Sequence, residues 1–324
     1  MKDNCQRNID YIRISLTDRC NLRCQYCMPA KGVTWMPHED ILTYEEIVNV
    51  LEVASVLGIK KVRLTGGEPL VKKEVSTLVQ MITAIDGIEE VSLTTNALLL
   101  EEQLDALMAA GLQGINISLD TINYELFKEI TRGGDVTKAM QAISYAKKFP
   151  QLSLKLNCVP SMQQDQDIID MVDFARKMDI PLRFIELMPI GFGKQYRGKT
   201  QEEIVALLQK TYGEVTPYQK SLGNGPASYY MIVETGQIIG FISSISHKFC
   251  SQCNRIRLTA NGYIKGCLQY QSGLHVKPLL EAGISKHDLK QKIEHVIYHK
   301  PKAHHFLEKV TSTDETNEMY KIGG

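Results

Sequence analysis

Residues 11–29 read Tyr11-Ile12-Arg13-Ile14-Ser15-Leu16-Thr17-Asp18-Arg19-Cys20-Asn21-Leu22-Arg23-Cys24-Gln25-Tyr26-Cys27-Met28-Pro29. A β-like run of five residues ends in a loop that carries three cysteines in a C-x3-C-x2-C arrangement. In a parallel α/β barrel, chemistry gathers on loops after strands, at the C-terminal face, and this stretch fits that plan. The same alternation continues outward, with further β-like runs at 60–65, 91–94, 115–119, 152–159 and 182–188. Between them, apolar residues recur at i, i+3, i+4 and i+7, the period of an amphipathic helix. Ile47, Val50, Leu51 and Ala54 form one stripe, opened by a Thr43…Glu46 capping box and closed by Gly58. Val75, Leu78, Val79 and Ile82 form a second, and Ile168, Met171, Val172 and Ala175 a third. Strand–helix units joined by right-handed crossovers build a parallel sheet covered by helices. The expected fold class is therefore α/β, with an incomplete (β/α)6 TIM-type barrel over residues 1–213.

After residue 213 the pattern changes. Turn-rich segments (Gly223-Asn224-Gly225-Pro226, Thr235-Gly236, Asn261-Gly262) separate β-like runs at 237–242 and 255–259, and helical stretches follow near 277–282 and 287–298. Residues 214–324 are expected to form a smaller C-terminal α+β domain that closes the barrel mouth.

Bulk properties exclude several classes. The chain has 324 residues, 44% hydrophobic and 23% charged, and its 37 Lys plus Arg equal its 37 Asp plus Glu. Balanced charge gives no reason to expect nucleic acid or an anionic membrane surface as partner. No apolar run approaches the roughly 18 residues of a membrane span, and the polar residues 1–10 lack a signal-peptide core. The expectation is a cytoplasmic protein whose thiols stay reduced. Of its eight cysteines, six fall into two triplets, Cys20/Cys24/Cys27 and Cys250/Cys253/Cys267, which favours metal over disulfides. Cys5 and Cys158 stand alone, and Cys158, inside a strand-like run, reads as a small hydrophobe.

Three closely spaced thiolates on one loop can hold a four-iron cubane and leave one iron open, whereas structural zinc wants a fourth ligand that is missing nearby. With an aromatic before its last cysteine, the first triplet resembles the signature of the radical S-adenosylmethionine enzymes. Leu64-Thr65-Gly66-Gly67-Glu68-Pro69, which alone could be a turn, then resembles the loop that holds the cofactor's methionine amino group. The resemblance implies a 4Fe–4S cluster on Cys20, Cys24 and Cys27, which binds and cleaves S-adenosylmethionine. It also implies cofactor contacts at Tyr26, Gly67, Ser118 and Met188.

The second triplet, C-x2-C-x13-C, leaves zinc and a further cluster open on spacing alone, since His247 could complete a zinc shell. Cys250-Ser251-Gln252-Cys253-Asn254-Arg255-Ile256-Arg257-Leu258-Thr259, Cys267 and a terminal Gly323-Gly324 together resemble the GTP 3′,8-cyclases of molybdenum cofactor biosynthesis over essentially the whole chain. That likeness implies a second 4Fe–4S cluster on Cys250, Cys253 and Cys267, without His247. It implies conversion of GTP to 3′,8-cyclo-7,8-dihydro-GTP, with an external electron donor and product transfer to a cyclic pyranopterin monophosphate synthase. Arg13, Arg63, Thr94, Lys155, Arg255 and Arg257 resemble substrate-binding positions. Lys61 joins them because it shares alternation parity with Arg63 and Thr65. Singly, each of these cations could be a solvated surface charge. Arg255, Arg257, Gly323 and Gly324 are the expected catalytic group, the glycines as a tail entering the site. Neither nucleic acid nor membrane is implied, and a homodimer is among the assemblies left open.

Departures from the family pattern are few: Cys5-Gln6-Arg7 replaces an aromatic and Gly, and Asn261-Gly262 replaces Asp-Gly. His295, His299, His304 and His305 are irregularly spaced and read as a solvated helix and loop. A peptide-modifying radical enzyme would carry more C-terminal cysteines, and a zinc-binding regulatory module or an electron carrier would not need the long β/α body.

Overall fold

The computed structural model describes residues 1–220, 222, 223, 225–306, 308 and 314–323. In chain order, the first half runs β1 (Tyr11–Ser15), α1 (Tyr44–Val56), β2 (Lys61–Thr65), α2 (Val75–Thr83), β3 (Glu90–Thr95), α3 (Leu100–Ala109), β4 (Gly114–Ser118), α4 (Tyr124–Thr131) and α5 (Val136–Ala146). It continues with β5 (Ser153–Cys158), α6 (Asp165–Lys177), β6 (Leu182–Ile185) and α7 (Gln201–Tyr212). The remainder comprises β7 (Val215–Tyr218), β8 (Ser228–Ile232), β9 (Ile238–Ile242), β10 (Arg255–Leu258), β11 (Tyr263–Lys265), β12 (Leu274–His275), α8 (Lys277–Glu281), α9 (Lys286–Tyr298) and α10 (Met319–Ile322).

Local chemistry accounts for the helix starts. At α1, the Thr43 side chain accepts from the Glu46 amide at 3.2 Å while Glu46 accepts from the Thr43 amide at 2.7 Å. Thr200 and Glu203 repeat that reciprocal cap at α7. Gly58, in the left-handed region at φ +94°, follows the end of α1.

Among the described residues, twelve strands form one sheet in the order β12-β11-β10-β1-β2-β3-β4-β5-β6-β9-β8-β7. Its central pairings, from β10 through β1–β6 to β9, are parallel, and antiparallel hairpins finish both ends. The sheet is not closed on itself. Among the described residues, the strands after residue 213 build no separate sheet: β7–β9 extend the β6 edge and β10–β12 extend the β1 edge. The connection 243–254 therefore runs from one edge of the parallel array to the other.

The period of two along each strand divides the sheet into two faces. Ile12, Ile14, Val62, Leu64, Ile256 and Leu258 are fully buried in the continuous apolar core. Their neighbours Arg13, Lys61, Arg63, Arg255 and Arg257 line a cavity instead. A barrel interior filled with apolar layers is thus replaced here by a chamber into which charged side chains project. No helix among the described residues is long and apolar enough to cross a membrane.

Candidate functional site

The chamber has a volume of about 700 Å³ and both cysteine triplets open onto it. Cys20, Cys24 and Cys27 lie on the loop after β1, where the amides of Cys27 and Met28 both donate to the Cys24 carbonyl, at 2.9 and 3.0 Å. Cys250 and Cys253 lie on the 243–254 connection, and Cys267 follows β11. All eight cysteines carry free thiols. As read from the sequence, Cys158 is buried, its thiol donating to the Asp120 carbonyl at 3.3 Å.

Burial pushes the Cys20 and Cys27 thiols up to about 12, and moves Cys24 well above the ordinary thiol range. A thiol so disfavoured as an anion becomes a thiolate ligand when a cationic centre replaces the lost water. Three such thiols on one loop are the donor set a cubane iron–sulfur cluster uses. Among the described residues no three His, Cys, Asp or Glu side chains converge on a point suited to one metal ion. A cubane asks for something wider, since its thiolates sit at separate corners. The second triplet differs electrostatically. Burial opposes ionisation of Cys253, yet Arg255 and Lys300 hold its thiol down to about 6.

The Gly66-Gly67 turn nests on the first triplet's loop. A Cβ on Gly67 would stand 2.4 Å from the Arg19 carbonyl oxygen and 2.6 Å from that of Asp18, so only glycine permits this approach. Glu68, almost fully buried, accepts from Leu70 N (3.1 Å), Thr95 Oγ1 (2.7 Å) and Asn96 N (2.7 Å), tying the ends of β2 and β3 together. Tyr26 donates its hydroxyl to Asp120 Oδ2 at 2.6 Å, and Asp120 Oδ1 accepts from Val159 N at 2.8 Å. Burial raises the Asp120 carboxyl to about 6 against both hydrogen bonds. Ser118 and Met188 complete this wall.

Cations dominate the remainder. Arg13 of β1 stands in lateral register with Arg257 of β10 on one side and Arg63 of β2 on the other. Tyr11 is likewise flanked by Arg255 and Lys61, and Lys155 of β5 lies beside Asn116 of β4. The lining holds eight Arg or Lys residues against four Glu. Of those four, Glu68, Glu89 and Glu186 already accept hydrogen bonds from the chain itself. Burial, then Arg183 and Arg63, lowers Lys155 to about 8, while burial, then Arg255, lowers Arg257 to about 10. Arg63 Nη1 and Thr94 Oγ1 are buried with no hydrogen-bond partner among the described residues. Mutually repelling cations and unsatisfied polar atoms around an enclosed volume favour an anionic, hydrogen-bonding ligand.

Gly323 is buried at the ends of β1 and β2, and its carbonyl accepts from Arg257 Nη1 at 2.5 Å. Gly324, like Asn224 of the Gly223–Pro226 turn, lies outside the described residues. His247 stays away from the chamber, with Nε2 3.4 Å from Glu202 Oε1. His304 differs from the solvated reading: it is buried on the chamber wall, its Nε2 2.6 Å from the Ser244 carbonyl oxygen.

Sequence reasoning passed over Arg183, Asp120 and Glu68 as site residues. Arg183 lines the chamber and donates to Asn157 Oδ1 from Nε (2.9 Å) and Nη2 (2.7 Å). Its inward position on β6 follows from the same alternation that picked out Lys61.

Residues 14–175 match the Radical SAM superfamily, and residues 180–306 match Molybdenum Cofactor Synthesis C. The chain is 44% identical to a GTP 3′,8-cyclase of Syntrophomonas wolfei subsp. wolfei (strain DSM 2245B / Goettingen) and 43% identical to one of Clostridium perfringens (strain SM101 / Type A), each over the full length of both chains. Among solved structures, Streptococcus suis SuiB bound to S-adenosylmethionine superposes with a TM-score of 0.64 at 15% identity. That match covers 91% of this chain but 64% of SuiB, a likeness of fold.

Proposed function

The chain belongs to the GTP 3′,8-cyclase family within the radical SAM superfamily, and on that footing we propose that it converts GTP to 3′,8-cyclo-7,8-dihydro-GTP, the first step of molybdenum cofactor biosynthesis. The observation that carries this reading is the arginine row Arg257–Arg13–Arg63, in register on three adjacent parallel strands within a chamber bordered by two cysteine triplets.

In this reading Cys20, Cys24 and Cys27 would hold one 4Fe–4S cluster, and Cys250, Cys253 and Cys267 a second that would serve the guanine end of the substrate. When bound and reduced, the first cluster would supply the one electron needed for reductive cleavage of S-adenosylmethionine, the source of the radical chemistry that begins with loss of hydrogen from the ribose 3′ carbon. The chain's own residues bind, orient and exclude water. Gly67, by letting its turn close against the Asp18–Arg19 main chain, shapes the loop that takes the cofactor's methionine end, and Tyr26, braced by Asp120, walls its other end with Ser118 and Met188. Arg13, Lys61, Arg63 and Lys155 receive the triphosphate, Arg183 beside them, and forked guanidinium contacts relieve the crowding of like charge. Thr94 Oγ1 meets a substrate polar atom that replaces its missing partner. Arg255 and Arg257 hold the guanine so that its carbon 8 faces the ribose 3′ carbon; once those two carbons bond, the radical left on the base takes up one electron, drawn from the external donor, and one proton to give the dihydro product. Gly323, whose carbonyl accepts from Arg257, joins this group.

The finer architecture belongs to this proposal as well. β1–β6 act as the incomplete barrel of residues 1–213, and residues 214–324 close its mouth through the 243–254 connection. A cytoplasmic setting, an external electron donor and hand-over to a cyclic pyranopterin monophosphate synthase complete it.

Anaerobic reconstitution, iron and zinc counting, and incubation with dithionite, S-adenosylmethionine and GTP test the reading. About eight irons per chain, two clusters of four, and GTP-dependent 5′-deoxyadenosine are expected. Tightly bound zinc with no cofactor cleavage would overturn it.

A further inference from the structure

The segment before β1 carries none of the residues assigned above, yet it grips the second triplet. Asp3 and Arg7 are 1% and 6% exposed. Asp3 Oδ2 accepts from Arg7 Nε at 2.6 Å, and Asp3 Oδ1 accepts from the amides of Cys5 and Arg7, each at 2.9 Å. Nη2 also lies 2.6 Å from Asp3 Oδ2, and the two terminal guanidinium nitrogens reach four main-chain carbonyls. Nη1 donates to Cys250 (2.8 Å) and Lys302 (3.0 Å), and Nη2 to Lys300 (3.1 Å) and Pro301 (2.8 Å). Lys300 in turn sends its buried ammonium onto the Gly266 carbonyl, the residue before Cys267. Asp10 Oδ1 accepts from Asn254 Nδ2 at 2.7 Å, beside Cys253. Each cysteine of the second triplet is thus held, at itself or at its neighbour, from the N-terminal segment directly or through Lys300.

Geometry makes this more than added charge. A guanidinium presents its donors in one rigid plane, so four carbonyls can share it only when they arrive from fixed directions. Two of the groups so fixed, the Cys250 carbonyl and the 300–302 segment, belong to stretches with no common strand or helix. We propose that Arg7, braced by Asp3, is the positioning residue of the second triplet: it sets the spacing between the Cys250–Cys253 loop and the Gly266–Cys267 turn, so that three thiols meet one cluster. This rests on the reading of that triplet as a cluster site. None of the Arg7 hydrogen-bond partners lies on the first triplet's loop, so the effect is confined to one site.

The test uses the full chain, reconstituted anaerobically, with iron counts and electron paramagnetic resonance of the reduced protein. Arg7→Lys keeps the charge and Lys300→Met keeps the length, so both variants guard against simple unfolding. Wild type should bind about eight irons and Arg7→Lys about four, losing the signal that GTP perturbs and keeping the one that S-adenosylmethionine perturbs. Lys300→Met should lose iron from the same site alone. An Arg7→Lys protein with about eight irons and both signals overturns the inference, as does equal loss from both sites. Wild type that loads only about four irons overturns the cluster reading itself, a result distinct from either.

Discussion

Gly323→Ala isolates the seat of the C-terminal tail. The residue sits in the left-handed region at φ +72°, where an added Cβ would lie 2.8 Å from Ser15 Cβ and 3.1 Å from Thr65 Oγ1. The left-handed conformation costs an L-residue about 1–2 kcal/mol. Neither neighbour can readily withdraw: both are 2% exposed and lie at the ends of paired strands. Overpacking of a site that cannot relax adds about 1–3 kcal/mol. The sum, about 2–5 kcal/mol, lowers the population of the seated tail by roughly 30-fold to several thousand-fold, at 1.4 kcal/mol per tenfold. Lys321 gives the assay, because trypsin cuts after it once the tail leaves its seat. When reclosing outruns cutting, the initial cleavage rate follows the open population and should rise by at least about 30-fold. Gly283→Ala is the control for backbone strain, since φ there is +73° and nothing lies within 4 Å of the added Cβ. It should lower the melting temperature slightly and leave cleavage at Lys321 unchanged. A Gly323→Ala tail cut at the wild-type rate would refute the seat as described.

Two further outcomes follow from the two triplets. Gly67→Ala forces a Cβ against main-chain oxygens rather than a mobile side chain, so the two loops must separate; binding of S-adenosylmethionine by the reconstituted protein, measured by calorimetry, should fall at least tenfold, and unchanged affinity would show that the loops part freely. In cluster-free protein, alkylation mapped by mass spectrometry between pH 5 and 8 should label Cys253 with an apparent midpoint near 6 while Cys20 and Cys27 stay slow. The sign is fixed by linkage: a thiol lowered from its ordinary 9.0 to about 6 stabilises the fold fully above pH 9, and that contribution disappears as pH falls through 6. Arg255→Gln should move the labelling midpoint upward.

Much of the site was legible because each thiol and cation is attached to a local pattern. The spacing of Cys20, Cys24 and Cys27 lies within one loop, and the parity of Lys61, Arg63 and Thr65 within one strand. What escaped the sequence depended on partners without a local signature. Arg7 donates to carbonyls of residues 250 and 300–302, and main-chain oxygens leave no trace in residue identity. His304 reads as one of several late histidines until the Ser244 carbonyl and the chamber wall enclose it. The pairing of β10 with β1 was hidden for a similar reason, since its register joins residues more than two hundred positions apart.

That pairing explains why one alternation serves both fold and site. In β1, Ile12 and Ile14 bury toward the helices while Arg13 enters the chamber, and β10 repeats the arrangement with Ile256, Leu258, Arg255 and Arg257. Parallel register then sets Arg257 beside Arg13, although the two strands arise at opposite ends of the chain. A slip of one residue in either strand would place an arginine in the apolar core and an isoleucine in the chamber. Burying an unpaired guanidinium costs several kcal/mol, so the hydrophobic packing of β10 against β1 itself enforces the register of the arginine row. The row is therefore maintained by the same apolar side chains that hold the sheet together, with no separate device required to align its charges.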